Sequence, residues 1–118
     1  MAHHNDFGKR GEEIACRYLQ EKEYTILATN FRFGRGEIDV IAKQNETIIF
    51  AEVKTRSSDK FGYPEESVTE SKKEKLKQTA TEFLLQNNLS NEIRFDVIAI
   101  TIQKDKTDIY HIEDAFFH

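Results

Sequence analysis

The sequence predicts an α/β domain, a mixed central β-sheet flanked by helices. Three observations predict it. Two segments with helical periodicity alternate with runs of apolar, often β-branched residues. The runs at 37–42 and 47–55 are separated only by a short polar stretch, which makes them an antiparallel hairpin. Another apolar run, at 93–102, follows the second helical segment, and a helix is the kind of crossover that parallel pairing requires.

Residues 7–22 read as the first helix. Phe7, Gly11, Ile14, Ala15, Tyr18 and Leu19 fall on one side at ~100° per residue, and Asn5 or Asp6 is placed to cap it. Gly8 and Gly11 each weaken a helix by up to ~1 kcal/mol relative to alanine. They serve either close backbone packing or room for a substrate backbone. Residues 24–33 lean toward strand, and Gly34-Arg35-Gly36 is a turn or bulge. Residues 37–42 form a short strand, 43–46 a polar connection, and 47–55 the strongest strand in the chain. Residues 56–69 hold the only proline, Pro64, and read as a long loop that is mobile without substrate and borders the site. Ser71-Lys72-Lys73-Glu74 matches a capping box. The helix it opens carries Leu76, Ala80, Phe83 and Leu84 on one face and ends at Asn87 and Asn88. Strands at 93–102 and 108–112 complete the chain.

The chain of 118 residues is enough for one domain over 1–118, with no internal repeat or linker. Hydrophobic residues are 38% and charged residues 32%, a folding rather than a disordered composition. No apolar run approaches the ~20 residues of a membrane span. The first residues lack a signal peptide's apolar stretch, and Cys16 alone cannot close an internal disulfide. The expected compartment is therefore the cytoplasm. A net charge of −4 argues against coating nucleic acid by bulk charge, but leaves local basic tracks open. Lys54, Arg56 and Lys60 make one such track. Lys72, Lys73, Lys75 and Lys77 are either a second or an ordinary solvated helix face.

The chemistry lies in Gly36-Glu37-Ile38-Asp39-Val40-Ile41-Ala42 and Phe50-Ala51-Glu52-Val53-Lys54. Alternation points Glu52 and Lys54 to one sheet face and Ile49, Ala51 and Val53 to the other. Charges inside so apolar a strand are costly unless compensated, and Asp39 in the neighbouring strand meets the same objection. Across the hairpin, Asp39 can lie beside Glu52. Two carboxylates with a lysine suit Mg2+ or Mn2+, a hard cation that takes one or two carboxylates plus a phosphate. They also fit a salt bridge of Lys54 with Glu52 or Asp39 at a sheet edge. The first arrangement describes phosphodiester hydrolysis, with Lys54 holding the attacking water or offsetting phosphate charge.

Asp39, a gap of twelve residues, then Glu52-Val53-Lys54 resembles the PD-(D/E)xK nuclease superfamily, with Ile38 where that motif has proline. The set Gly8-Lys9-Arg10-Gly11-Glu12, Asn30, Arg32, Gly36-Glu37-Ile38-Asp39, Glu52-Val53-Lys54-Thr55-Arg56, Phe61-Gly62, Lys72 and Arg94-Phe95-Asp96 looks like the bacterial YraN family over almost the whole chain. That family is similar in fold to archaeal Holliday-junction resolvases. The resemblance implies a restriction-endonuclease-like core, Asp39 and Glu52 as metal ligands, Lys54 as the catalytic lysine and Glu12 as an acid from the first helix. DNA is the implied partner, branched or damaged forms included, and a homodimer the implied assembly. Helical phase agrees on Glu12, which flanks the apolar arc, whereas Glu13 points to solvent.

Arg56, Arg32 and Arg35 are candidate phosphate contacts. Glu37 is a candidate auxiliary ligand, if the strand is regular. Tyr63 is a candidate base-stacking ring. Arg94 and Asp96 read as a pair or as a frame for the sheet, and Cys16 as an inert core thiol. The alternative to an enzyme is a nucleic-acid-binding or protein-interaction module that keeps the fold without cutting. A small-molecule phosphoesterase lacks a glycine-rich phosphate cradle here.

Overall fold

The computed structural model of the protein describes residues 3–57 and 68–117. In chain order the elements are α1 (His3–Glu21), β1 (Thr25–Phe33), β2 (Gly36–Gln44), β3 (Thr47–Arg56), α2 (Glu70–Gln86), β4 (Glu92–Ile102) and β5 (Thr107–Ile112). The strands form one sheet in the order β1-β2-β3-β4-β5. Pairing is antiparallel except between β3 and β4, which run parallel on either side of the crossover that contains α2. The mixed sheet with flanking helices follows the sequence expectation. Most of the expected 56–69 loop, including Tyr63 and Pro64, lies outside the described residues.

Three boundaries differ from the sequence reading. The first helix begins at His3, ahead of both proposed caps, so Asp6 sits inside its first turn. The hairpin strands extend to Gln44 and from Thr47, so only Asn45 and Glu46 remain as a turn, with Asn45 at φ +55. The second helix is capped by Thr69 rather than by Ser71. The Thr69 hydroxyl accepts the Lys72 amide at 3.2 Å, and both residues sit two positions earlier than the box at Ser71 and Glu74 requires. At the other end Asn87 is the C-cap, as its position suggested.

Each face of the sheet carries its own core. Ile48 and Phe50 of β3 pack with Leu76, Ala80 and Phe83 of α2. Their neighbours Ile49 and Ala51 pack with Ala15 and Leu19 of α1. Strict alternation along β3 therefore sends Glu52 to the α2 side and Thr55 to the α1 side. Gly11 of α1 meets Thr55 so closely that a Cβ there would overlap its side chain. The packing use, not the substrate use, accounts for this glycine. Gly11→Ala is expected to destabilise the fold by about 1–3 kcal/mol through overpacking, read as a lower urea midpoint at unchanged slope.

A polar network fastens α1 to the far side of the sheet. Asp96 of β4 is fully buried and pairs with Arg94 at 2.8 Å and with His111 of β5 at 2.7 Å. Arg94 also donates to the Tyr24 hydroxyl, and the Tyr18 hydroxyl lies 2.9 Å from His111 Nδ1. The expected Arg94–Asp96 pair is thus one link of a larger network. Among the described residues, no helix is long and apolar enough to cross a membrane.

Candidate active site

Glu52 follows Phe50 on the α2 side of β3 and is only 7% exposed. Two ammonium groups meet its Oε2, Lys54 Nζ at 3.5 Å and Lys72 Nζ at 2.8 Å. Lys72 was one of four lysines read as a helix face or a basic track. Its position follows from the cap, because Thr69 starts α2 early enough for Lys72 to fall in the first turn over the sheet. Gly36 lets the helix come this near, since a Cβ there would overlap the Thr79 hydroxyl and press within 3.0 Å of the Lys75 carbonyl. The two lysines shift in opposite directions. For Lys72 the hydrogen bond and charge of Glu52 outweigh burial and raise the pKa. For Lys54 burial dominates, helped by the charge of Lys72, and lowers it despite Glu52.

Asp39 enters by a break in regularity. On β2, Ile38 packs in the α2-side core and Val40 in the α1-side core, although they are two residues apart. The strand changes phase at Asp39. The β1 residue between the partners of Ile38 and Val40 is Asn30, which holds a left-handed φ of +52. The β2–β3 ladder ends at Val40↔Ala51, and beyond it the Val53 amide donates to Asp39 Oδ2 at 2.8 Å. A side chain thus replaces a backbone carbonyl where the strands part. Burial first, then the charge of Glu52, pushes the Asp39 carboxyl up to about 7 against the pull of the Val53 amide. Asp39 and Glu52 line one cavity of about 210 Å³ together with Glu37 and Lys72. The two carboxylates therefore do not lie on opposite faces.

Glu12 comes from the other side of the sheet. Its Oε1 accepts from Asn30 Nδ2 at 3.0 Å, so the residue that bends β1 also holds the helix acid. Its pKa is raised by burial, then by the charges of Glu37 and Glu52. Glu13 is exposed, in keeping with the helical phase. Glu37 pairs with Arg32 at 3.5 Å and lines the cavity, although the strand is not regular between it and Val40. Arg35 borders the cavity from the β1–β2 turn, whereas Arg56 lies half-buried at the end of β3. Cys16 is half-buried, and burial followed by the charges of Glu12 and Glu13 raises its thiol pKa.

Among the described residues, no three His, Cys, Asp or Glu side chains are gathered as a ready-made metal cage. The donor set still suits magnesium, which needs one or two carboxylates and fills its sphere with water and phosphate. Asp39 has one oxygen engaged by Val53, and Glu52 has one engaged by the lysines. One oxygen of each remains without a protein hydrogen bond among the described residues. Sequence reasoning gave Lys72 and Asn30 only among the residues of the family resemblance, with no role in this site. The threonine three residues before Lys72 was the available signal for the first. Nothing in local sequence announced the left-handed Asn30.

The model of the uncharacterised protein family UPF0102 matches residues 11–100, a span that includes Glu12, Asp39, Glu52, Lys54 and Lys72. A UPF0102 protein of Christiangramia forsetii is 47% identical over 118 residues, covering 100% of this chain and 99% of its own. One from Thermodesulfovibrio yellowstonii is 49% identical over 112 residues, 95% of this chain and 96% of its own. One from Clostridioides difficile is 47% identical over 110 residues, 92% of this chain and 95% of its own.

Proposed function

The chain belongs to the UPF0102 family, and we propose that it is a divalent-metal-dependent endonuclease that hydrolyses DNA phosphodiester bonds, those of branched or damaged DNA among them. The observation that carries this reading is the convergence of Asp39 and Glu52 on one cavity, with Lys54 and Lys72 on Glu52. A restriction-endonuclease-like core of the PD-(D/E)xK kind, a cytoplasmic setting and a homodimer that cuts paired strands belong to the same reading.

Asp39 and Glu52 would hold Mg2+ or Mn2+, with Glu12 assisting directly or through water. The cation would supply positive charge to the phosphate and lower the pKa of an attacking water. Lys54 has the lowered pKa of the two lysines, so it is the better placed to hold that water and pass on its proton. Lys72, whose proton is held more tightly, stays a fixed charge that orients Glu52. Arg32, Arg35 and Arg56 are the candidate phosphate contacts around the site.

A second reading has its own observation. Two ammonium groups already neutralise Glu52, as in a purely structural ion cluster of a non-cutting module. Nicking of supercoiled and branched DNA with manganese, beside a thermal shift with manganese alone, separates the two. Lys54→Met is expected to slow nicking by roughly 10²–10³-fold and to keep the manganese shift, while Glu52→Gln loses both. A parent protein that neither nicks nor shifts is the non-cutting module.

A further inference from the structure

A second cavity of about 760 Å³ lies between α1 and β1, lined in part by Gly8, Lys9, Glu12, Arg17, Asn30 and Glu37. Glu37 lines this cleft and the carboxylate cavity alike, so the two adjoin at that residue. Charge differs along it. Glu12 and Glu37 stand at the inner end, where their charges act on Asp39. Lys9 and Arg17 stand on the exposed helix one turn either side of Glu13, which lines the cleft with them, and neither cation has a hydrogen-bond or ion-pair partner among the described residues. Eight residues apart on α1, they are separated by about 12 Å along the axis. That is three to four nucleotides at ~3.4 Å per nucleotide of strand.

Gly8 supplies an independent observation. A glycine inside a helix costs up to ~1 kcal/mol relative to alanine. Gly11 repays this by its approach to Thr55, but a Cβ on Gly8 would meet nothing within 4 Å. No packing among the described residues requires Gly8, and the bare backbone faces the cleft. It leaves room for the backbone of something else.

We propose that the α1–β1 cleft seats one strand of DNA on its way into the carboxylate site, its backbone crossing Gly8 and its phosphates meeting Lys9 and Arg17. The direction of the strand rests on the nuclease reading above. The residues that bind it do not, because they lie outside the metal site. The cleft volume, within the ~300–1,000 Å³ of ordinary ligand pockets, suits a single strand rather than a duplex. Unpaired cations along a groove are what a polyanion selects, and bound cations released from the strand would make the affinity salt-dependent.

The test is fluorescence anisotropy of the full chain with a labelled single-stranded oligodeoxynucleotide in EDTA, over a salt series. The double variant Lys9→Ala, Arg17→Ala is expected to bind at least tenfold more weakly. Losing two phosphate contacts should flatten the slope of log affinity against log salt by about 1.4. Gly8→Ala should bind more weakly while melting at a higher temperature, two changes of opposite sign that a structural defect cannot produce. Lys104→Ala, on the β4–β5 turn and not among the residues lining the cleft, should change neither. Parent-like binding by the double variant, equal loss on a blunt duplex, or a parent that binds no strand at all overturns the proposal. The manganese shift separates its failure from that of the nuclease reading. A double variant that keeps the shift and the strand refutes the cleft alone. A parent that lacks the shift but needs Lys9 and Arg17 for the strand refutes the metal site alone.

Discussion

Asp39→Asn is expected to melt higher than the parent at pH 8 in the absence of metal, and to melt at the same temperature at pH 4. The sign follows from the shift of the carboxyl from an ordinary 3.8 up to about 7. Below pH 4 the group is neutral in the folded and the unfolded chain alike. Between 4 and 7 the folded chain holds a proton that the unfolded chain releases, so stability falls as pH rises. Above 7 both are ionised, and the fold carries a buried charge beside Glu52. Asparagine mimics the neutral acid and can still accept the Val53 amide. The variant's advantage should therefore grow across this window to on the order of 2–4 kcal/mol. Manganese should reverse the order. At 100 times its dissociation constant a cation adds about 2.7 kcal/mol to the parent, and the variant should gain little. Differential scanning fluorimetry from pH 4 to 8, with and without manganese, checks both halves. A variant that is less stable than the parent at every pH would mean that Asp39 is held by contacts, not tolerated for chemistry.

Asp96→Ala is expected to cost about 3–5 kcal/mol, the loss typical of breaking a buried ion pair from one side. Asp96 accepts from Arg94 Nε at 2.9 Å and Nη2 at 2.8 Å, from His111 Nε2 at 2.7 Å and from the Asp114 amide at 3.0 Å. Burial alone would raise its pKa, but these hydrogen bonds outweigh it and hold the carboxyl below its usual range. Its contribution is therefore complete at neutral pH and is lost only as pH falls through that lowered value. Removing it strands Arg94 and a nearly buried His111, and releases Tyr18 and Tyr24 from their anchor. Urea denaturation should show the midpoint fall at constant slope. Because Tyr18 lies on α1 with Glu12, the variant should also loosen the helix that presents that acid. Hydrogen exchange of α1 amides measures this, and unchanged protection there would confine the network to β4 and β5.

Glu52, Lys54 and Asp39 were legible because each is a charge within an apolar run, a local anomaly that needs no tertiary knowledge. The hairpin, the parallel crossover and the two faces of β3 were legible for a related reason. Side-chain alternation and connection length constrain a strand before it meets its partners. Most of the long loop falls outside the described residues. Other features depended on distant neighbours. Lys72 joins Glu52 because Gly36 admits α2, although Glu52 and Lys72 stand twenty positions apart in the chain. Asp39 turns into the gap between β2 and β3 because Asn30 on another strand adopts a left-handed backbone, and that break also spoils the simple alternation expected for Glu37. The sequence by itself determined which residues are too costly to bury without a purpose, since that cost is a property of each side chain in its own segment. Only the tertiary structure decided which of them share one cavity, because burial, charge coupling and hydrogen bonding depend on distances that segments acquire by packing together.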